Sequence, residues 1–190
     1  MIFILLLVAS IYSQKGMVVV GGTNLADITM THSNVDDAID RGTAFGIQFG
    51  LEKLVGPVAI GVAYVERGIN IKDFLLDGTE FTAKMNYFTV SAKYQVKILE
   101  DIEVCVGGGF GKYLNGQTTS EYNGEVSTGT IDDSGFRIDY GAILGLNYWV
   151  TKTIGLRADY YHGLSDIDEN QDLLFSGRHK GLQLDLLFRF

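Results

Sequence analysis

The feature that most constrains this chain is a period of two. In its last ten residues, GLQLDLLFRF, Leu182, Leu184, Leu186, Phe188 and Phe190 alternate with Gln183, Asp185 and Arg189. Alternation at 180° per residue is the mark of a β-strand with one apolar face. The same split runs through Phe136, Ile138, Tyr140, Ala142, Leu144, Leu146 and Tyr148 against Arg137, Asp139, Gly141, Gly145 and Asn147. It returns in Ile154, Leu156, Ala158 and Tyr160 against Gly155, Arg157, Asp159 and Gly163, and in Ile102, Val104, Val106 and Phe110 against Glu103, Gly107, Gly109 and Gly111. Further upstream, Phe88 to Tyr94, Val58 to Tyr64 and Phe45 to Leu51 alternate in the same way, and KGMVVVGGTN supplies an eighth strand whose facing the pattern does not fix.

The connections alternate too. Leu54 to Gly56, Lys97 to Asp101 and Val150 to Lys152 are short, whereas Leu25 to Gly42, Glu66 or Arg67 to Met85, Asn115 to Gly135 and Ser165 to Lys180 are long. An even number of strands with short turns at one end and long loops at the other predicts an all-β fold, an eight-stranded antiparallel up-and-down transmembrane β-barrel. Both termini then lie on the short-turn, periplasmic side. Strands of about 10 residues suit a tilted crossing of the hydrocarbon layer. One face of each strand carries Leu, Val, Ile, Phe and Tyr, and the other carries Gly, Ser, Gln and charged residues. A narrow eight-stranded lumen is filled by side chains, so the polar face is expected to point inward and its glycines to make room for long charged groups. A soluble lipocalin-like barrel would have the inverse pattern.

Composition narrows the remaining classes. Among 190 residues, 24 Gly, 21 Phe plus Tyr (11 + 10) and one Pro argue against disorder and collagen. A net charge of -8 offers no basic footprint for nucleic acid. The apolar run Ile2 to Ala9 is far shorter than the roughly 20 residues a membrane-spanning helix needs. Residues 1–13, MIFILLLVASIYS, read instead as a secretory signal peptide cut near Ser13, with the barrel domain over 14–190. The single cysteine, Cys105, excludes an intramolecular disulfide and is expected to be a small packed residue.

GGTN at Gly21 to Asn24, FGIQFGLE at Phe45 to Glu52, YFTVSAKYQV at Tyr87 to Val96, DYGAILGLNYWV at Asp139 to Val150, GLRADYYHGL at Gly155 to Leu164 and the terminal strand together resemble the outer membrane protein β-barrel domain family, the OmpA-like and PorT-like barrels of Gram-negative outer membranes. The resemblance covers essentially the whole mature chain. It implies an outer membrane location, a monomer, and contact with lipopolysaccharide and outer membrane lipids. It also implies that Leu186, Phe188 and Phe190 form the terminal signal read by the barrel assembly machinery.

The inward parity gathers Glu52, Lys93, Glu103, Arg137, Asp139, Arg157, Asp159, Asp185 and Arg189 in the lumen. Buried charge is costly unless paired, so these residues are expected to form a salt-bridge network that plugs the barrel. The alternative is a narrow small-solute or ion channel whose pairs exchange partners. Acidic residues concentrate in the long loops, among them Asp36, Asp37, Asp40, Asp132, Asp133, Asp166, Asp168, Glu169 and Asp172. Asp166, Asp168, Asn170 and Asp172 have calcium-loop spacing, but Gln171 and Gly177 stand where such a loop needs Gly and a bidentate Glu, so a solvated acidic loop is the preferred reading. GGGFGK at Gly107 to Lys112 lacks the spacing of a phosphate loop. No cofactor motif is present. Some barrels of this kind modify lipid A, and His162 with Ser165 is the pair here that such chemistry could use, although their proximity in sequence is its only support. Outward Tyr64, Tyr94, Tyr148, Tyr160 and Phe190 suit interfacial girdles. Trp149, on inward parity at a turn, reads either as an interfacial anchor or as a lumen plug. The expected role is structural or adhesive, exerted through the loops.

Overall fold

The computed structural model describes residues 16–30, 40–72, 78–131, 138–166 and 177–190. The period-two segments form antiparallel strands: β1 (Met17–Met30), β2 (Asp40–Gly42), β3 (Ala44–Val55), β4 (Val58–Lys72), β5 (Thr79–Lys97), β6 (Ile102–Tyr122), β7 (Glu125–Ile131), β8 (Asp139–Trp149), β9 (Ile154–Gly163) and β10 (Gly177–Arg189). Pairing runs β1–β3–β4–β5–β6–β8–β9–β10 and closes from β10 back to β1, so eight staves make a ring.

The two short extra strands prolong staves. β2 continues β3 along β4 after a bulge: from Gly42↔Asn70 to Gln48↔Val65 one strand advances six residues and the other five. β7 continues β8 along β6, which it joins above the Gly111↔Asp139 pair at Gly116↔Ile131. Short turns at Gly56–Pro57, Ile98–Asp101 and Val150–Thr153 share one end with the two ends of the described barrel, where Gly16 N donates to Phe190 O at 2.9 Å. At the other end β6 and β7 turn on Asn123 and Gly124, both with positive φ (51° and 81°), the geometry that matches the twist of a two-residue hairpin.

The apolar parity faces outward. Phe45, Ile47, Phe49, Ile60, Val62, Phe88, Val106, Phe110, Tyr140, Leu144, Leu156, Leu182 and Leu184 are all exposed, and together they form a continuous band around the barrel. Tyr94, Tyr148, Tyr160 and Phe190 are exposed in the same band, and Tyr64 stacks on Phe49 (centroids 5.1 Å apart).

Two expectations need correction. The first concerns the loops: β1, β4, β5 and β6 run far into stretches read as loop, reaching Met30, Lys72, Thr79 and Tyr122. Above the band the pattern inverts, with polar Asp27, Asn70, Lys84 and Asn86 outward and Ile28, Ile69, Ile71, Ala83, Met85, Tyr87 and Tyr113 packed inward. A barrel wall standing in water needs an apolar inside, so the same strands exchange the chemistry of their faces where they leave the lipid. The second concerns the lumen, which is polar only at mid-height. At the short-turn end Val18, Val20, Trp149 and Leu187 pack together with Leu54 against them. This fixes the facing of β1 and places Trp149 inside the lumen, with the Arg189 guanidinium 3.7 Å over its ring.

Candidate functional site

Between the two apolar ends lies the charged layer. Arg157 on β9 reaches Glu52 on β3 with two parallel bonds, Nη1 to Oε1 at 2.7 Å and Nη2 to Oε2 at 2.8 Å, and donates Nε to Asn147 Oδ1 at 2.8 Å. Lys93 Nζ on β5 bridges Glu52 Oε1 at 2.7 Å and Asp159 Oδ2 at 3.0 Å. All four ionic groups are buried. A bidentate guanidinium–carboxylate pair is the strong form of such a contact, and it offsets the cost of taking the charges out of water. Glycines make the space: Gly145 lies opposite Asp159 and Gly22 opposite Asp185, and a Cβ at either position would overlap the carboxylate.

Asp185 belongs to this layer by position but not by ion pairing, since it accepts from Gln48 Nε2 instead. Glu103 and Arg189 form a separate pair nearer the short turns, at 3.5 Å, joined to the main layer through Asn147 Nδ2 donating to Glu103 at 3.2 Å. Cys105 is fully buried in the lumen wall, across from Gln95 and Gly145.

A second layer lies nearer the long-loop end. Asp139 on β8 pairs with Arg67 on β4 and accepts from Tyr161 Oη at 2.9 Å and Ser165 Oγ at 3.4 Å. The Arg67 guanidinium stacks on Tyr161 (3.8 Å) and faces Tyr87 (5.5 Å), and Tyr87 Oη meets His179 Nε2 at 3.0 Å. The outward neighbours of His179 are Arg178, which is exposed, and Lys180, which is half-buried and 3.1 Å from Asp27, and this places His179 above the lipid band. Burial, and then the nearby Arg67 charge, hold the imidazole well below the ordinary histidine value.

Sequence reasoning missed Arg67, Tyr87, Tyr161 and His179, and it put Gln48 and Asn147 on the inward parity without assigning them a role. Arg67 continues the inward parity of Ala59, Gly61, Ala63 and Val65, the one signal that could have found it. Of the expected lumenal residues, Arg137 lies outside the described residues, as do the signal peptide, the loop acids Asp36, Asp37, Asp132, Asp133 and Glu169, and the calcium-spaced Asp168, Asn170 and Asp172. Asp166 is engaged by Arg178 Nε at 3.1 Å. His162 and Ser165 are not brought together: His162 is exposed on the outer face, stacked on Tyr160, whereas Ser165 is buried and accepts from Tyr140 N at 2.9 Å. Leu186 and Phe188 face outward on the terminal strand, in line with Phe190.

This architecture matches known barrels. The profile of the outer membrane protein beta-barrel domain family matches residues 1–190. Neisserial surface protein A superposes with a TM-score of 0.58 at 17% identity, over 93% of this chain and 98% of that one. Ail, the attachment invasion locus protein of Yersinia pestis, gives 0.51 at 12% identity, over 93% of this chain and 100% of that one. No curated protein sequence matches the chain.

Proposed function

The chain belongs to the outer membrane protein β-barrel domain family, and we propose that within that family it is a closed, monomeric barrel that presents an adhesive or ligand-binding surface from its long-loop end. The termini face the periplasm in this reading, residues 1–13 are the export signal, the terminal Leu186, Phe188 and Phe190 are read by the barrel assembly machinery, and lipopolysaccharide of a Gram-negative cell surrounds the upper rim. The observation that carries it is the filled lumen: two ion-pair layers lie between apolar clusters at either end, so the barrel is built to hold a shape rather than to pass a solute.

What projects from the barrel then has to act. The β6–β7 hairpin stands beyond the lipid band with every residue from Glu121 to Thr130 exposed, and it is rich in Ser and Thr. The Yersinia pestis barrel of similar fold is named for attachment and invasion, which fits the same use of the fold. Cells displaying the intact chain should capture a surface ligand that cells displaying a version with residues 116–131 cut to a tight turn do not. Equal capture by both would remove the hairpin from the role, and steady single-channel steps from the purified protein in planar bilayers would replace this reading with that of a narrow channel.

A further inference from the structure

The β6–β7 hairpin leaves the barrel at a β-bulge. Asn86 pairs with Asn115 and Tyr87 with Tyr113, so Leu114 is an extra residue on β6. Leu114 and Asn115 are both exposed, and the next inward position is Gly116. On the inner side of this joint the Tyr113 hydroxyl donates to the carbonyl of Ile131, the last residue of β7, at 2.9 Å. Among the described residues no other side chain hydrogen-bonds to β7. The bond depends on the glycine, because a Cβ at position 116 would stand 2.8 Å from Tyr113 Oη and 3.0 Å from Ile131 Cδ1. Gly116 is thus the slot through which the phenol reaches the strand.

Tyr87 stands behind Tyr113 and meets its ring edge-on, with centroids 5.8 Å apart and 74° between the planes. It is itself held from two sides, by the Arg67 guanidinium over its ring and by His179 at its hydroxyl. A path of contacts therefore runs from the Arg67–Asp139 pair through Tyr87 and Tyr113 to the foot of β7. Among the described residues β7 is paired on one side only, and such a strand opens at small cost unless something fastens it.

We propose that Tyr113 is the positioning residue of the exposed hairpin: its hydroxyl fastens the foot of β7 to the lumen, and Tyr87 behind it makes that fastening depend on the upper ion-pair layer. Given the hairpin's proposed role as a binding surface, on which the use of this brace rests, a strand held in place has less freedom to lose when a ligand docks. Tyr113 then favours binding without touching the ligand.

Hydrogen–deuterium exchange of the whole chain in lipid nanodiscs, read peptide by peptide, tests the brace with no ligand present. Tyr113→Phe keeps the ring and removes only the hydroxyl. It should speed exchange across Glu125–Ile131 about fivefold, the scale of one hydrogen bond, and leave Asp139–Trp149 of β8 unchanged. An unaltered β7, or equal acceleration of β8, overturns the brace. Tyr87→Leu removes the ring on which Tyr113 leans. It should also speed β7, and the double variant should be no faster than Tyr113→Phe alone. Additive acceleration overturns the dependence on Tyr87. If Tyr87→Leu does not fold, Tyr87→Phe, which frees the ring from His179, takes its place, and an unchanged β7 rate then rejects that dependence. Capture of a ligand by the hairpin is a separate measurement, so a failed brace leaves that role standing and loss of the role leaves these rates as they are.

Discussion

Arg157 holds both oxygens of Glu52 across the lumen although two strands, β10 and β1, separate β9 from β3 in the wall. The pair is therefore a strut across the ring, not a rung between neighbours. Glu52 is also the common partner of Arg157 and Lys93, and that makes the layer asymmetric.

Removing Glu52 leaves two buried cations, Lys93 and Arg157, to share the single carboxylate of Asp159, whereas removing Arg157 leaves Lys93 paired with both Glu52 and Asp159. Loss of one member of a buried pair costs about 3–5 kcal/mol. Glu52→Leu should therefore fall at or above the top of that range and Arg157→Met near the bottom. Urea unfolding in lipid micelles ranks them, and an equal or reversed order would show that Lys93 does not share the carboxylate.

Adjacent glycines on β1 make opposite demands. Gly22 points inward, where a side chain would meet the Asp185 carboxylate and the β10 backbone, while Gly21 points outward with nothing within 4 Å of a Cβ. Gly22→Val should cost at least the 1–3 kcal/mol typical of overpacking, about 2 kcal/mol, and Gly21→Val should stay within about 0.5 kcal/mol of wild type. Matching losses in the two variants would mean that the β1 facing is wrong.

The mid-barrel was legible in the sequence because lipid outside and charge inside force one period-two pattern, and residues such as Leu184 and Asp185 carry it openly. The upper barrel was not. There Ile69 and Ile71 lie inside while Asn70 and Lys72 lie outside, so the apolar parity changes faces at the edge of the lipid and a reading that follows outward hydrophobics stops at Tyr64. Arg67 was lost in the same way. The hydrogen-bonding roles of Gln48 and Asn147 were hidden for a different reason: which neutral amide completes a charged layer depends on three-dimensional reach, since Gln48 and Asp185 are 137 positions apart.

The apolar ends make a prediction about permeability. Ions are excluded where no polar group can replace their hydration, so each apolar cluster is a seal on its own. Trp149→Ala with Leu187→Ala opens the lower seal only, and planar bilayer current should remain at baseline. Adding Ile71→Ala and Tyr87→Ala opens the upper seal as well and should produce current. Current from the lower pair alone would place the barrier entirely at the short-turn end.

His179 gives the upper barrel a pH dependence whose sign can be worked out. Its ring is buried against Tyr87, with Arg67 as the charged group nearby and, among the described residues, no carboxylate paired to it. Folding therefore favours the neutral imidazole and lowers its value from the ordinary 6.5. Below about 6.5 the unfolded segment binds a proton that the folded one refuses, so stability is full above that pH and falls as the pH drops through it toward the lowered folded value. Amide exchange of Tyr87 and Gly181 in nanodiscs should accelerate from pH 6.5 to 5. In His179→Phe, which keeps the ring packing but cannot ionise, the exchange rates corrected for intrinsic pH dependence should be flat over the same range. Persistence of the acceleration in His179→Phe would assign it to another group.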